Sequence, residues 1–208
     1  MRTPPSSVSL GGKREATKQA NRAAILESAR EVFADIGFGA STIRDIVRGT
    51  DLATGTFYNY FTDKESVLRA LLEESAGEAR ERVRAARRRG RTLEAFVRDG
   101  FAAYFAYLLE NRQTAELLRR NAGTIRTMYD DPSLVAGTEE LADDLRDGIA
   151  AGLIPDHDTE YMAAAMAGSA LEIGARMLDS ADPDPERATE LVSGVFIAGL
   201  RALGAPCK

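Results

Sequence analysis

The amino-acid sequence predicts an all-α protein of about nine helices, and three observations support that fold class. Apolar residues recur at helical spacing along most of the chain, no segment alternates like a strand, and glycines and capping residues separate the periodic segments. Hydrophobic residues make up 44% of the 208 residues and charged residues 28%, as is typical of a soluble chain with a packed core. The length fits one large domain or two small ones.

The first periodic segment runs from about Gln19 to Ile36, and Gly37 suits the left-handed position that ends a helix. Its apolar face consists of Ile25, Ala29, Val32, Phe33 and Ile36. Residues 1–18 are expected to form a flexible basic extension. The lysines and arginines of the first 22 residues either stay solvated or neutralise DNA phosphates.

Two short helices follow, joined by a tight connection. The second helix, Ile43–Gly49, can be capped by Ser41 or Thr42, and Asp45 can complete a capping box with Thr42. The third helix covers about Thr54–Phe61. Three short helices in this order are the frame of a DNA-reading unit.

A long fourth helix begins at Lys64, with Asp63 as its N-cap, and ends at Gly90. It closes in the arginine-rich run Arg80–Arg91, which we interpret as a solvated helix end whose charge can meet the acidic half of the chain. The remaining predicted helices cover residues 92–108, 113–121, 132–151, 158–180 and 185–203.

The formal net charge of −5 hides a division between the two halves of the chain. Residues 1–100 carry 18 basic and 14 acidic side chains, whereas residues 101–208 carry 9 basic and 18 acidic ones. This asymmetry indicates that the first half meets a polyanion and the second half does not.

The residue inventory argues against several classes of protein. A single cysteine, Cys207, and a single histidine, His157, exclude a thiolate cluster and a His-rich zinc site, so we expect no metal and no cofactor. No apolar stretch approaches the roughly 20 residues of a membrane span, and the N-terminal residues lack the apolar region of a secretory signal. We therefore expect a cytoplasmic protein without a membrane partner.

The stretch from about residue 41 to residue 61 has the organisation of a helix-turn-helix motif, whose last helix enters the DNA major groove. Phe57 and Phe61 lie four residues apart, so they share the face that holds this helix to the bundle. The opposite side keeps small residues suited to base edges and phosphates, namely Thr54, Gly55, Thr56 and Asn59.

The segment Thr54–Glu65, preceded by Thr42–Ile46, resembles the signature of TetR-type (TetR/AcrR) transcriptional regulators. Ala24–Ala29 and Phe33–Phe38 are similar to the first helix of that family and to its exit. The resemblance implies a DNA-binding domain over residues 19–72 and a helical effector-binding and dimerisation domain over residues 73–208.

The resemblance further implies a homodimer that binds a palindromic double-stranded DNA operator, most often as a repressor, under the control of a small-molecule effector. Matched by position, the residues expected to face DNA are Thr42, Thr54, Gly55, Thr56, Tyr58, Asn59 and Tyr60. Lys64 is expected to meet a phosphate. Asp51 departs from the family, which usually has glycine in this turn, although Asp tolerates the left-handed conformation better than most residues.

Aromatic and methionine side chains of the second half are core residues that can also line an adaptable pocket for a bulky apolar effector. The candidates are Phe101, Tyr104, Phe105, Tyr107, Met128, Tyr129, Met162 and Met166. Arg176, four residues after Glu172, either completes an ion pair or anchors an acidic group of the ligand.

The last two long helices are apolar on nearly all sides, so a single small domain cannot bury both of them. Pairing them with their copies across a two-fold axis would bury them in a four-helix interface. The residues expected in this interface are Ala164, Gly168, Leu171, Ala175, Leu191, Val195, Phe196 and Gly199.

Two alternative functions belong to other classes of protein. One is an all-α enzyme that turns over the ligand of its helical domain, and the other is a helical adaptor without DNA binding. The sequence offers the enzyme no nucleophile–base pair, no metal cluster and no glycine-rich phosphate loop in a strand–helix context.

Overall fold

A computed structural model describes residues 10–128 and 132–203, and every regular element in those ranges is an α-helix. The ten helices are α1 (Leu10–Asp35), α2 (Ile43–Arg48), α3 (Thr54–Phe57), α4 (Lys64–Arg89), α5 (Leu93–Glu110), α6 (Arg112–Arg120), α7 (Ala122–Arg126), α8 (Pro132–Ala150), α9 (Thr159–Leu178) and α10 (Pro185–Leu203). The predicted all-α class is confirmed. One helix more than predicted is present because α7 is too short to show a period.

The chain divides into two compact units, one ending at Leu71 and the other beginning at Leu72. The boundary falls inside α4, so the first two turns of that helix belong to the first unit and the rest to the second. None of the helices in the described ranges combines the length and apolarity that crossing a bilayer requires.

The helix α1 begins about two and a half turns earlier than its apolar periodicity predicted. Residues 10–18, expected to belong to a flexible extension, are helical, and every residue from 12 to 20 is exposed. Lys, Arg, Glu, Ala and Gln dominate this stretch and favour helix without burial. The spacing of apolar residues reveals a helix only where one side of it is buried, and no side of this segment is buried.

Side-chain caps set the start of α2 and of α4 as predicted. Thr42 caps α2: its hydroxyl accepts the Asp45 N–H at 3.3 Å, and the Asp45 carboxylate accepts the Thr42 N–H at 2.9 Å. Asp63 caps α4 by accepting the Ser66 N–H at 2.7 Å. The hydrogen bonds from Thr42 and from the Ser66 backbone hold the pKa values of Asp45 and Asp63 below their usual range.

The helix α3 is shorter than the predicted Thr54–Phe61 and continues as tight turns. The Asn59 N–H donates to the Thr56 carbonyl at 3.1 Å, and the Tyr60 N–H donates to the Phe57 carbonyl at 2.9 Å. These bonds join residues three apart, so the helix tightens after its first turn.

Gly37 has the positive φ of 81° that the end of α1 was predicted to need.

In the second unit, α5 and α9 meet α10 and α8 around one hydrophobic core. Phe101, Phe105 and Leu108 of α5 are buried, and Phe101 stacks on Phe196 of α10 at 5.7 Å. Gly174 lets α9 approach α5 closely, because an added Cβ would lie 2.7 Å from Leu108 Cδ1. A side chain at this position would therefore require Leu108 to shift.

The arginine-rich end of α4 is more than the solvated helix end that its sequence predicts. Arg87 is buried, and its Nε and Nη2 donate to Asp144 Oδ2 of α8 at 3.0 and 2.6 Å. Arg80 approaches Glu140 at 3.7 Å, and Arg82 pairs with Glu110. The prediction that the run meets acidic residues of the second half is confirmed, and the burial of Arg87 is the correction.

Candidate functional site

The first unit holds the predicted DNA-reading residues on a small scaffold of buried side chains. Ile25, Ala29 and Phe33 of α1 are fully buried, as is Ile46 of α2. The Ser28 hydroxyl of α1 donates to the Ile46 carbonyl at 2.6 Å. Helices α1 and α2 are thereby joined by a polar contact inside an apolar interface.

We define residues 54–60 as the recognition segment. Two buried aromatic rings hold this segment to the first unit. Phe57 is fully buried and Phe61 is nearly so, with ring centroids 6.0 Å apart. The predicted division of this helix into a packed face and an outward face is therefore present. Its outward residues are Thr54, Gly55, Tyr58 and Asn59, all of them exposed.

The exposed face is open and polar. Tyr58 is 57% exposed, and its ring meets the edge of Phe57 at 5.5 Å. An added Cβ at Gly55 would meet nothing within 4 Å, so the backbone there is free for close approach by another molecule. Thr42 is also exposed, at the start of α2. The exposed residues offer hydroxyl, amide and backbone groups, which suit base edges and phosphates.

Thr56 and Tyr60 are half-buried and differ from their exposed neighbours. The Tyr60 hydroxyl accepts a hydrogen bond from Asn21 Nδ2 of α1 at 3.0 Å. Asn21 was not singled out from the sequence. The available signal was an amide four residues before Ile25, on the face of α1 that packs into the domain.

Lys64 has a structural role that its sequence context did not reveal. Its Nζ donates to the carbonyl oxygens of Phe38 at 2.6 Å and of Ser41 at 2.8 Å, and it lies 4.4 Å from the centre of the Phe38 ring. The ammonium group has three donors, and two of them hold the segment between α1 and α2. A phosphate contact at Lys64 remains a prediction.

Asp51 does not use the left-handed conformation that its position suggested. Among the described residues, none other than glycine has a positive φ. The turn between α2 and α3 is held instead by Thr50, whose hydroxyl donates to the Val47 carbonyl at 2.8 Å and accepts the Leu52 N–H at 3.2 Å. Asp51 therefore replaces the glycine that is usual in this turn without adopting a strained backbone conformation.

Most of the predicted ligand-pocket residues come together in the second unit. Phe101, Phe105, Tyr107 and Met166 are buried in its core cluster, and Tyr104 and Met162 pack against that cluster. Met128 is buried, but it is not part of the cluster. Tyr129 lies outside the described residues.

The two tyrosines of α5 have different environments. The Tyr107 hydroxyl donates to the Ser75 carbonyl of α4 at 3.1 Å, and burial together with the nearby Glu78 carboxylate raises the pKa of this phenol. Burial also raises the pKa of Tyr104, whose hydroxyl has no hydrogen-bond partner in the part of the chain that the structure describes. The Tyr104 hydroxyl is therefore available to form a hydrogen bond with a ligand in the predicted pocket.

Arg176 lies on the surface of α9, and its Nε donates to Glu172 Oε1 at 3.1 Å. The predicted ion pair is present. With 74% of its side chain exposed, Arg176 is separate from the buried pocket candidates.

The residues predicted for a dimer interface form a largely exposed apolar surface on α9 and α10. Leu171, Leu191 and Val195 are 50%, 61% and 62% exposed. Ala164, Gly168 and Gly199 are exposed and Ala175 is half-buried. Phe196 turns instead toward its own core, where it stacks on Phe101.

No group of three or more His, Cys, Asp or Glu side chains in the described ranges is placed to hold a metal ion. His157, in the connection between α8 and α9, has its Nδ1 2.7 Å from the Pro155 carbonyl.

Comparison with known proteins identifies the first unit. The family model described as bacterial regulatory proteins, tetR family, matches residues 25–71. The chain is 33% identical over 105 residues to the transcriptional repressor KstR2 of Rhodococcus jostii, which covers 49% of each chain. It is 37% identical over 59 residues to the fatty acid metabolism regulator protein of Bacillus subtilis, which covers 28% of this chain and 30% of that one. These alignments span about half or less of the relatives' length.

Solved structures extend the likeness to both units. FadR of Bacillus halodurans superposes with a TM-score of 0.72 at 22% identity, over 86% of this chain and 96% of its own. FadR of Bacillus subtilis, solved in complex with stearoyl-CoA, has a TM-score of 0.73 at 22% identity, over 85% and 98%. At this identity the likeness establishes the fold alone. Residues 25–71 thus match the tetR family of bacterial regulatory proteins, and the chain as a whole is similar in fold to solved regulators of that kind.

Proposed function

We propose that this protein is a ligand-responsive, DNA-binding transcriptional regulator, a repressor that binds a palindromic operator as a homodimer in the cytoplasm. The observation that carries the proposal is the recognition segment. Its packed face is held by Phe57 and Phe61, while Thr54, Tyr58 and Asn59 stay exposed. A rigid base under a row of exposed hydrogen-bonding groups is what reading a DNA groove requires.

The contacts divide by chemistry. Gly55 and Asn59 are suited to close approach and to base edges, and Thr42 to the phosphate backbone. Thr56 and Tyr60, being half-buried, add contacts at the edge of the surface. Lys64 adds one positive charge for a phosphate through its remaining donor.

The homodimer rests on the exposed apolar surface of α9 and α10. Leu171, Leu191 and Val195 are exposed there, with room beside Gly168 and Gly199, where an added Cβ would meet nothing within 4 Å. A second copy would cover this surface through the same residues, as two-fold symmetry requires. Each of the two recognition segments in the dimer would then bind one half-site of a palindromic operator.

The effector site lies where Phe101, Tyr104, Phe105, Met162 and Met166 meet. These side chains are apolar and adaptable, apart from the unpartnered Tyr104 hydroxyl. They suit a bulky apolar ligand with one hydrogen-bonding group. A fatty acyl group fits this description, and a related fold from Bacillus subtilis was solved with stearoyl-CoA.

Effector binding would reach the DNA-binding unit through α4, which runs continuously from Lys64 to Arg89. Within the second unit, Tyr107 of α5 donates to the Ser75 carbonyl of α4, and Arg82 of α4 lies 5.3 Å from the Tyr107 ring. A ligand that displaces α5 therefore moves α4. The effector site and the DNA-binding surface would thus be coupled through α4.

The test is operator binding in the presence and absence of effector. The purified protein should shift a duplex from the region upstream of its own gene in a salt-dependent way, and Asn59→Ala should reduce that shift by tenfold or more. Acyl-CoA esters of increasing chain length should change the shift and raise the melting temperature of the protein. A protein that binds no duplex from that region would refute DNA-dependent regulation. Unchanged DNA binding with every ester would refute the acyl effector.

A further inference from the structure

The N-terminal turns of α1 extend beyond the packed part of the DNA-binding domain. Every residue from 12 to 20 is exposed, whereas packing begins at Ile25 and Leu26, which are 0% and 3% exposed. These turns are nevertheless helical. They form a helical projection without a buried apolar face.

One face of this projection is basic. Arg14, Lys18 and Arg22 follow one another at four-residue intervals, so at about 100° per residue they lie within a sector of about 80°. Ile25 and Ala29, which pack into the domain, fall in the same sector. The face of α1 that is buried further along the helix therefore continues as what we call the basic stripe: Arg14, Lys18 and Arg22.

The basic stripe begins beside the recognition segment. Asn21 Nδ2 donates to the Tyr60 hydroxyl at 3.0 Å, and the Arg22 guanidinium lies 5.5 Å from the centre of the Phe61 ring. Lys18 and Arg14 follow at about 6 and 12 Å along the helix axis from Arg22. Their charges are thus carried outward from the end of the surface proposed to read DNA.

The outer two charges of the stripe have no partner within the described parts of the protein. Neither Arg14 nor Lys18 makes an ion pair there. Glu15, the acidic residue on these turns, lies three residues before Lys18 and so close to the edge of the stripe, but it is paired with neither cation. Arginines of the second unit differ in this respect, since Arg82 and Arg87 are paired with carboxylates. Two unpaired cations on one face of a helix suit a polyanion.

We propose that the basic stripe is a second DNA contact surface, which lies on the phosphate backbone beside the half-site read by the recognition segment. The inference rests on the proposed DNA-binding function. It adds that the contact is made by one face of a helix and not by a flexible tail. Each strand of duplex DNA presents a phosphate about every 3.4 Å along the axis, so phosphates are dense enough for each of the cations, about 6 Å apart, to lie near one.

The experiment measures how the binding constant depends on salt. The stripe variant is Arg14→Ala/Lys18→Ala, tested on the upstream duplex and on an unrelated duplex of equal length. Lys13→Ala is the control for the face, because Lys13 lies about 100° from Arg14 on the same exposed turns. Arg89→Ala/Arg91→Ala is the control for charge, since it removes two exposed cations from the second unit. Alanine favours helix, and circular dichroism checks that each variant keeps its helical content.

The stripe variant should weaken binding to both duplexes by a similar factor. The slope of log K against log salt should become shallower by about 1.8, because each phosphate that the variant no longer neutralises reduces it by about 0.9. Both controls should keep the slope of the unmodified protein.

Each other outcome has a definite meaning. If the unmodified protein binds the upstream duplex and the stripe variant keeps its slope, the stripe is not a contact surface, while the proposed function stands. If Lys13→Ala makes the slope shallower by about 0.9, as expected for each residue of the stripe, the contact is not confined to one face, and the inference is wrong. If the unmodified protein binds neither duplex, the proposed function fails and the inference fails with it.

Discussion

The Ser28 hydroxyl of α1 donates a 2.6 Å hydrogen bond to the Ile46 carbonyl of α2, directly beside the Cα of Gly49. A Cβ added at Gly49 would overlap Ser28 Oγ and would lie 3.1 Å from Ser28 Cβ. The two helices that position the recognition segment are therefore joined where only glycine fits. This contact sets the orientation of α2 relative to α1.

Gly49→Ala should destabilise the protein by about 1–3 kcal/mol, because the added methyl group overpacks this contact. Ser28→Ala should cost about 1 kcal/mol, because it removes the hydrogen bond. The double variant should cost less than the two single changes together, because alanine at position 28 leaves room for the new methyl group. Urea unfolding measures all three. Gly55→Ala, with open space around its Cβ, should be nearly neutral, and strict additivity of the Gly49 and Ser28 changes would contradict the contact.

The capping box of α2 should make stability depend on acid pH. The pKa of Asp45 is lowered in the folded protein, first by the hydrogen bond with the Thr42 side chain. Its contribution is therefore complete above the ordinary value of 3.8 and is lost as pH falls through the lower folded pKa. Urea unfolding at pH 7, 5 and 3 should show the advantage over Asp45→Asn shrinking only in the most acid series. An advantage that is constant down to pH 3 would exclude this role.

Lys64→Ala should have two separable effects. Removing the bonds to the Phe38 and Ser41 carbonyls should lower the free energy of unfolding by about 1–2 kcal/mol. Removing the proposed phosphate contact should weaken binding uniformly across operator sequences and make the salt slope shallower by about 0.9. Lys64→Met keeps the apolar stem and should change the salt slope by the same amount. A binding defect confined to one base position would contradict the phosphate role.

Asp144→Ala should destabilise the second unit by about 3–5 kcal/mol, because it leaves the buried Arg87 guanidinium without its carboxylate. Asp143→Ala is the matched control. Its exposed pair with Arg146 should contribute less than about 1 kcal/mol. Thermal unfolding of the two variants compares a buried and an exposed ion pair on neighbouring residues of α8. If the two variants lose the same stability, the burial of Arg87 does not make its ion pair more important for stability than an exposed one.

Val195→Asp and Leu191→Asp should convert the proposed dimer into monomers, because each places a charge in the apolar surface of α9 and α10. Leu153→Asp provides the control, since Leu153 is 41% exposed and lies outside those helices. Sedimentation velocity should give monomers for the first two variants and the unmodified state for the third. Operator affinity should fall when the dimer dissociates. A dimer that survives both substitutions would place the interface elsewhere.

Local chemistry was enough to predict most of the helices, the caps of α2 and α4, and the division of the recognition segment. Thr42 and Asp45 lie three residues apart, and Phe57 and Phe61 lie four apart, so backbone periodicity alone brings each pair together. The early start of α1 escaped prediction because residues 12–20 bury no face.

The contacts between distant residues could not be predicted in this way. Arg87 and Asp144 are 57 positions apart, and Asn21 and Tyr60 are 39 apart. Their meeting depends on how helices pack, and a solvated arginine has the same local sequence as a buried one. Local sequence therefore determined the all-α class, most of the helices and the exposed groups of the recognition segment. Tertiary packing decided which charges are neutralised inside the protein and which, like Arg14 and Lys18, stay exposed, because only packing sets the distance between residues far apart in the chain.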